Sequence, residues 1–404
     1  MEGAQLEKPC GHERPRRMIS SSPAEQRIPA LDGLRALAIL LVFLRHAVYL
    51  FTLESAAPLP DAGAVLTVMM NGWIGVDLFF VLSGYLITSS LLKTGQHDWK
   101  RYVQKRVLRI VPAYVAVLFL CVLGAFPLYQ IPQGDMLWRI FYHLLFLQDY
   151  LPANINVVFW SLGVEEKFYI VAPFLIFWLA KRQHVASWLL AMIAGGYALR
   201  LLSFYLAAPQ DYGAFFETTR APFHTNLETL LLGVAIAFWR TVHAGKLSPK
   251  AAQGIFWLSL GALAALMASH EMMRSIGWFD VLVQPLLIAG CMAGLVLSVV
   301  GGYSGMVLQG GVARFLSRIS YSFYLVHFPL VYAAFFLWQA LGSFAGPAVF
   351  GVYGFWVYGA VYLLISLAAA TALYYAVEKP FLDIKARLDH SPAPQSQPRS
   401  QGGK

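Results

Sequence analysis

Residues 319–377 read ISYSFYLVHFPLVYAAFFLWQALGSFAGPAVFGVYGFWVYGAVYLLISLAAATALYYAV, a stretch without a single Asp, Glu, Lys or Arg. A transmembrane helix needs about 20 predominantly apolar residues, so this stretch is long enough for a pair of spans. The small and turn-forming residues GSFAGP at 342–347 divide it. Two further stretches, 251–269 and 281–313, also lack charged residues. The sequence therefore predicts helices that cross a membrane.

The composition of the whole chain favours the same class of protein. Hydrophobic residues make up 58% of the 404 positions and charged residues only 13%, which is about half the charged share of a soluble domain. Working outward from the uncharged stretches, spans can be placed at 34–52, 70–92, 108–127, 160–180, 185–205, 226–243, 251–270, 281–300, 319–341 and 350–377. The predicted fold is an all-α membrane protein with about ten transmembrane helices in a single bundle.

The basic residues indicate how this bundle is oriented. Most of the 30 lysines and arginines fall on one side of the predicted spans. The opposite side has only Arg139, Arg200, Arg220 and Arg274. Because an excess of Lys and Arg marks the cytoplasmic side, both termini are expected to be cytoplasmic. This topology also explains the net charge of +9 without a nucleic-acid partner.

The first span carries two ionisable residues, Arg35 and His46. Eleven residues at about 100° and 1.5 Å each place them on one helix face, roughly 16 Å apart, so both are expected to face the same interior. Arg35 lies near the cytoplasmic end, where it could instead be a snorkelling topology anchor. His46 lies deeper, where an ionisable group usually marks a pathway or catalytic site. A hydrogen-bonded packing residue is the alternative for His46.

The second span contains GVDLFFVLSG at 75–84. Asp77 needs a partner there, because an isolated carboxylate is costly in apolar surroundings. The small residues Ser83 and Gly84 allow either close helix packing or the approach of a slender ligand such as a pantetheine arm.

Two charged pairs follow along the chain. Arg106 and Arg109 share a helix face at the cytoplasmic surface, where they could bind phosphates or simply belong to a positive-inside loop. Glu165 and Glu166 begin a span, and adjacent side chains diverge by about 100°, so one can face the interior while the other pairs with Lys167 or water. Acidic residues are also favoured at any helix N-terminus.

Weaker candidates lie in the second half of the chain. They are His224 and Glu228 at the sixth span, Tyr324 and His327 in the ninth, and Glu378 at the end of the tenth. Cys10, Cys121 and Cys291 show no metal-ligand spacing, so no metal site is predicted.

Taken together and in order, these motifs resemble the acyltransferase-3 family of bacterial integral membrane acyltransferases. The resemblance covers about residues 28–382 and rests on LDGLRA at 31–36 with Arg35-x10-His46, GVDLFFVLSG at 75–84, Arg106-x-x-Arg109, WSL at 160–162 with Glu165-Glu166, SYSFYL at 320–325 with His327, and EKP at 378–380. The chain departs from the family at Asn226, where His-Thr-Arg-x-Asp is frequent, and this puts acceptor contacts on the outer face in doubt. The remaining segments are expected to be a flexible basic cytoplasmic N-terminus, 1–27, and a disordered cytoplasmic tail, 383–404.

The resemblance implies a multi-pass protein of the bacterial inner membrane, surrounded by lipid. It would transfer an acyl group, with acetyl favoured, from cytoplasmic acyl-CoA to a hydroxyl of a carbohydrate, polysaccharide precursor or glycoside, without a bound cofactor. His46 would be the general base, and a transient acyl-histidine intermediate is an alternative. Glu165 would orient the imidazole or stabilise its cation. The expected catalytic residues are His46, Glu165, Glu166 and Asp77. The expected donor-binding residues are Arg35, Arg106, Arg109, Ser83 and Gly84. The residues expected to bind the acceptor or to be structural are His224, Glu228, Tyr324, His327 and Glu378.

Two other classes of function remain open from the sequence. In a proton-coupled transporter of a sugar or anionic metabolite, Arg35, His46, Asp77 and Glu165 would form a relay. Transporters often contain paired broken spans in corresponding halves, and the sequence contains no convincing pair. A non-catalytic sugar-binding subunit is the third interpretation.

Overall fold

The computed structural model describes residues 28–54, 63–94, 99–132, 134–242, 247–269, 276–345 and 347–390. Within these ranges the chain forms α-helices with short 3-10 and π turns, and it forms no β-strand. The predicted all-α fold is thus confirmed for this part of the chain. The predicted flexible N-terminus, 1–27, lies outside the described residues.

The α-helices are numbered in chain order. They are α1 (Ala30–Glu54), α2 (Ala64–Met70), α3 (Gly75–Thr94), α4 (Trp99–Val122), α5 (Met136–Leu144), α6 (Trp160–Ala180), α7 (Val185–Ala207), α8 (Tyr212–Phe215), α9 (Leu227–Val242), α10 (Pro249–Ser269), α11 (Trp278–Leu282), α12 (Gln284–Val300), α13 (Met306–Gln309), α14 (Gly311–Val326), α15 (Val331–Ala345), α16 (Pro347–Leu373) and α17 (Lys379–His390). The 3-10 turns are Asn71–Ile74, Val157–Phe159, Phe223–Asn226 and Phe328–Leu330, and the π turns are Phe216–Arg220 and Tyr374–Glu378.

Several helices suit a membrane. Among the described residues, six segments are long and apolar enough to cross one, namely Ala30–Thr52, Ala64–Lys93, Val185–Ala207, Pro249–Ser269, Trp278–Val300 and Tyr353–Leu388. The pair α14 and α15, bent by 63°, adds a seventh if it forms one span. Each of the ten predicted spans overlaps a helix, but α4 and α6 carry the charged motifs and α9 has only 16 residues. The count of ten and the side of the termini therefore stay predictions.

Helices α3 and α9 approach each other closely through glycines. A Cβ on Gly84 would overlap the carbonyl oxygen of Leu230, and a Cβ on Gly233 would overlap that of Val81. Small residues allow such backbone contact between helices. The backbone of α9 therefore occupies the space beside Gly84, which supports close helix packing, one of the two alternatives that the sequence leaves open for this glycine.

The C-terminal helix α17 extends further than expected. It continues to His390, so residues 383–390, which the sequence assigns to a disordered tail, are helical. Residues 391–404 lie outside the described ranges. The guanidinium of Arg101 on α4 donates a hydrogen bond to the carbonyl of Leu388. This contact holds α17 beside the Arg106 and Arg109 motif of α4.

Candidate active site

A cavity of about 310 Å³ lies among α1, α3, α4, α6, α14 and α17. Its volume is at the lower end of the range of small-molecule sites, about 300–1,000 Å³. The residues that the sequence singled out and that line this cavity are Arg35, Ser83, Arg106, Arg109, Glu165, Glu166 and Tyr324. Tertiary packing thus brings together most of the motifs on which the family resemblance rests.

Four cationic side chains line the cavity: Arg35, Arg106, Arg109 and Lys385. The guanidinium of Arg106 lies over the aromatic rings of Tyr102 and Tyr169, at 5.7 and 5.2 Å from their centroids. Stacking of this kind stabilises a guanidinium on an aromatic face and restricts its orientation. Such a cationic surface is suited to an anionic ligand.

Lys385 is a cavity residue that sequence reasoning missed. The sequence analysis predicts a disordered tail at this position, although the run KPFLDIKARL at 379–388 has a proline in its first turn and mixes apolar with charged residues. These features are a usable signal for a short helix. In the structure this segment is helix α17, and Lys385 lines the cavity together with Arg35 of α1, from the other end of the chain.

The two adjacent carboxylates, Glu165 and Glu166, both line the cavity. Glu165 accepts a hydrogen bond from the hydroxyl of Tyr169, one helical turn later. That hydroxyl lies 3.0 Å from the Oγ of Ser83 on α3. Lys167 instead contacts Asp149, so of the two partners expected for the second glutamate, Lys167 or water, Lys167 is engaged elsewhere.

Hydroxyl groups form another part of the cavity wall. The Oγ of Ser161 and the hydroxyl of Tyr324 are 2.6 Å apart, and the Tyr324 hydroxyl also donates to the carbonyl of Val158 at 2.7 Å. The ring of Phe79 contacts that of Tyr324 edge to face, with centroids 6.2 Å apart. Tyr324 is therefore a fixed part of the wall.

His46 has different surroundings from Arg35. Its Nδ1 lies 3.1 Å from the Nε2 of His327, and its ring meets that of Phe328 edge to face at 5.0 Å. Helix α14 ends at Val326, and its 63° bend with α15 places His327 against α1. Arg35 lines the cavity, whereas the contacts of His46 are with His327 and Phe328, so the two residues predicted on one helix face have different neighbours. Helical spacing set their common face but not the neighbours at each depth.

The neighbour that the structure gives to His46 is His327, whereas Glu165 interacts with Tyr169. Tyr324 connects the two regions. Its hydroxyl is part of the cavity wall, and its backbone carbonyl lies 2.9 Å from the Nδ1 of His327.

Asp77 forms a buried ion pair with Arg220. The carboxylate oxygens accept hydrogen bonds of 2.8 and 3.2 Å from the guanidinium, which lies between the rings of Trp73 and Trp160. Arg220 also donates to the Oδ1 of Asn226 at 3.0 Å. Asp77 thus has the partner that its burial requires, away from the main cavity, which does not support its expected catalytic role.

The remaining candidates, His224, Glu228 and Glu378, have polar partners outside the main cavity. His224 lies 2.8 Å from the Tyr150 hydroxyl and 2.7 Å from the Ser203 hydroxyl, and burial lowers the pKa of its ring. Glu228 pairs with Arg200. Glu378 accepts a 2.6 Å hydrogen bond from Ser322. These contacts support the structural alternative for all three residues.

A second cavity beside the Asp77–Arg220 pair measures only about 30 Å³. That is enough for one or two water molecules and too small for a sugar. Within the described ranges, no group of three or more His, Cys, Asp or Glu side chains is placed to hold a metal ion.

Comparison with known proteins adds independent information. The acyltransferase-3 family, described as an acyltransferase domain, matches residues 28–375. The peptidoglycan O-acetyltransferase OatA of Listeria monocytogenes is 26% identical over 341 residues, which cover 75% of this chain and 49% of that protein. A Staphylococcus aureus (strain COL) protein with a provisional O-acetyltransferase name is 27% identical over 342 residues. These residues cover 75% of this chain and 50% of that protein. The chain spans about half the length of the curated relatives it matches. No solved structure matches it significantly.

Proposed function

The chain belongs to the acyltransferase-3 family, and on this premise we propose that it is a membrane O-acyltransferase that moves an acyl group from cytoplasmic acyl-CoA to a carbohydrate hydroxyl. We propose acetyl as the acyl group, because the relatives of this chain are named O-acetyltransferases. One observation carries the proposal. A single cavity combines four cationic side chains with a wall of serine and tyrosine hydroxyls.

The cationic groups suit the phosphates of coenzyme A. Guanidinium groups bind phosphate oxygens through parallel hydrogen bonds, and an ammonium group binds them as a point charge. Arg106 and Arg109 present such groups from α4, and Lys385 presents one from α17. The nucleotide would bind at these cations, and the slender pantetheine arm would enter the remainder of the cavity, past Ser83.

His46 is the assigned general base. The hydroxyl oxygen of the acceptor attacks the thioester carbonyl while the imidazole takes the hydroxyl proton. The carbon–sulfur bond breaks, and the coenzyme A sulfur leaves as a thiolate that takes a proton. A positioned base contributes roughly 10²–10⁴-fold to such a rate. Tyr324 supports this assignment, since it contacts both the cavity and the His46–His327 pair.

The acceptor class rests on the relatives. The Listeria monocytogenes protein is named a peptidoglycan O-acetyltransferase, and peptidoglycan is a carbohydrate polymer. We assign to this chain a carbohydrate hydroxyl, carried by a polysaccharide, its precursor or a glycoside. A multi-pass protein in the cytoplasmic membrane would have access both to cytosolic acyl-CoA and to carbohydrates of the cell envelope.

Incubating the purified protein in lipid nanodiscs with radiolabelled acetyl-CoA tests the proposal. We expect slow release of coenzyme A or labelling of the protein, and we expect both to stop in His46→Ala while the variant elutes and melts normally. Retained turnover in that variant would contradict the assignment of His46 as the general base. Sugar flux through vesicles without release of coenzyme A would identify a transporter instead and would contradict the proposal.

A further inference from the structure

His327 holds one of its ring nitrogens in a defined protonation state. The side chain is fully buried, with 0% of its surface exposed. Its Nδ1 lies 2.9 Å from the carbonyl oxygen of Tyr324 and 3.1 Å from that of Phe323. A carbonyl oxygen can only accept a hydrogen bond, so Nδ1 must carry the proton. In the neutral ring, Nε2 is therefore an acceptor.

The protonation state of His327 determines that of His46. The Nε2 of His327 lies 3.1 Å from the Nδ1 of His46. Two lone pairs cannot form a hydrogen bond, so Nδ1 of His46 must be the donor and carry the proton. The lone pair of His46 then lies on Nε2.

We propose that His327 is a positioning residue that fixes the tautomer of His46, so that Nε2 is the basic nitrogen in acyl transfer. This inference rests on the proposed function, in which His46 is the base. It replaces the sequence expectation that Glu165 orients the imidazole.

The environment of His327 keeps its ring in place. Its ring is nearly parallel to that of Phe323, with centroids 5.8 Å apart and planes inclined by 13°. The hydroxyl of Tyr362 donates a 3.0 Å hydrogen bond to the His327 carbonyl. Side chain and backbone are thus both held by contacts, as a pre-organised partner of a catalytic group requires.

The pair also provides for the charge that forms during the reaction. When the acceptor oxygen bonds to the acyl carbon, its proton moves to Nε2 of His46, and the electron pair of the breaking carbon–sulfur bond goes to sulfur. The resulting His46 cation keeps its Nδ1 hydrogen bond to the neutral His327, and a hydrogen bond from a charged donor is stronger than a neutral one. Transfer of the Nε2 proton to the coenzyme A sulfur restores the starting state.

Three substitutions of His327 distinguish a positioning role of its ring from a packing role. In His327→Gln, the carboxamide oxygen can reach the place of Nε2 and accept from His46. In His327→Asn, the shorter amide can reach the Tyr324 carbonyl but not His46. His327→Leu keeps the approximate volume without either hydrogen bond. Each protein is assayed in nanodiscs for kcat and for the KM of acetyl-CoA, with elution volume and thermal melting as folding controls.

We expect His327→Gln to keep kcat within about threefold of the original protein, because an acceptor remains. We expect His327→Asn and His327→Leu to lose kcat on the order of 10²-fold, the lower end of what a general base contributes, with the KM of acetyl-CoA unchanged. Equal kcat in the Gln and Asn variants would overturn the inference, whether both are active or both inactive. If the Leu variant does not fold, the difference in kcat between the Gln and Asn variants still tests the positioning role of His327. Retained turnover in His46→Ala would instead overturn the base assignment itself.

Discussion

His46 and Arg35 lie on one helix and contact different groups. His46 faces the ring of His327, whereas Arg35 lines the cavity with Arg106 and Arg109. At the scale of single residues, the site thus separates a charged region suited to binding from a histidine pair suited to proton transfer. A general base must be neutral to accept a proton, and in the proposed tautomer the hydrogen bond from Nδ1 of His46 to His327 leaves the lone pair on Nε2.

The Asp77–Arg220 pair gives a residue-scale prediction. Asp77→Ala leaves the Arg220 guanidinium buried without its carboxylate, which typically costs about 3–5 kcal/mol. We therefore expect a large fall in the melting temperature of the protein in detergent. The double variant Asp77→Leu with Arg220→Met removes both charges and should recover most of that stability.

Binding of acetyl-CoA by the double variant is the control for this pair, because neither residue lines the main cavity. If Asp77→Ala melted normally but lost turnover, Asp77 would be a catalytic residue, as the sequence first suggested.

At the scale of helices, the contact between α3 and α9 depends on Gly84. Gly84→Ala places a methyl group against the Leu230 carbonyl, and overpacking of this kind typically costs about 1–3 kcal/mol. We expect a lower melting temperature with an unchanged Kd of acetyl-CoA in the fraction that folds. Gly195→Ala is the matched control, since Gly195 lies within α7 with open space at its Cβ, and alanine favours a helix interior. A change in donor affinity at normal stability would return Gly84 to the donor site.

Helix α17 gives the second element-scale prediction, through Lys385. Lys385→Gln removes a positive charge from the cavity and should raise the KM of acetyl-CoA several-fold while kcat changes little. Lys379→Gln is the control on the same helix, because Lys379 is exposed and pairs with Asp383. Equal effects of the two substitutions would mean that α17 contributes only general surface charge.

At the scale of the whole molecule, the sequence predicts the all-α fold and the charged residues of the cavity other than Lys385. Ionisable residues are few in this chain and need polar surroundings when they are buried, so Arg35, Arg106, Arg109 and Glu165 could be selected before their positions were known. Their motifs also occur in the order that the family resemblance requires.

The partners of these residues were harder to predict, because pairing between distant segments depends on tertiary packing. Asp77 signals a need for a cation, but nothing local indicates Arg220, more than a hundred residues away. The 63° bend after α14 brings His327 to His46, and spacing along one helix cannot show this. Lys385 was missed since a short charged helix after the last span resembles a polar tail.

The central claim is that the cavity binds acyl-CoA through its nucleotide phosphates, and equilibrium binding of two donors to the nanodisc protein tests it most directly. Acetyl-CoA has these phosphates, and acetyl-pantetheine lacks them. We predict that Arg106→Gln with Arg109→Gln weakens acetyl-CoA binding by on the order of 10–100-fold, about the value of one charged hydrogen bond, and leaves acetyl-pantetheine binding unchanged. An equal loss for both donors, or a loss for neither, would contradict the claim.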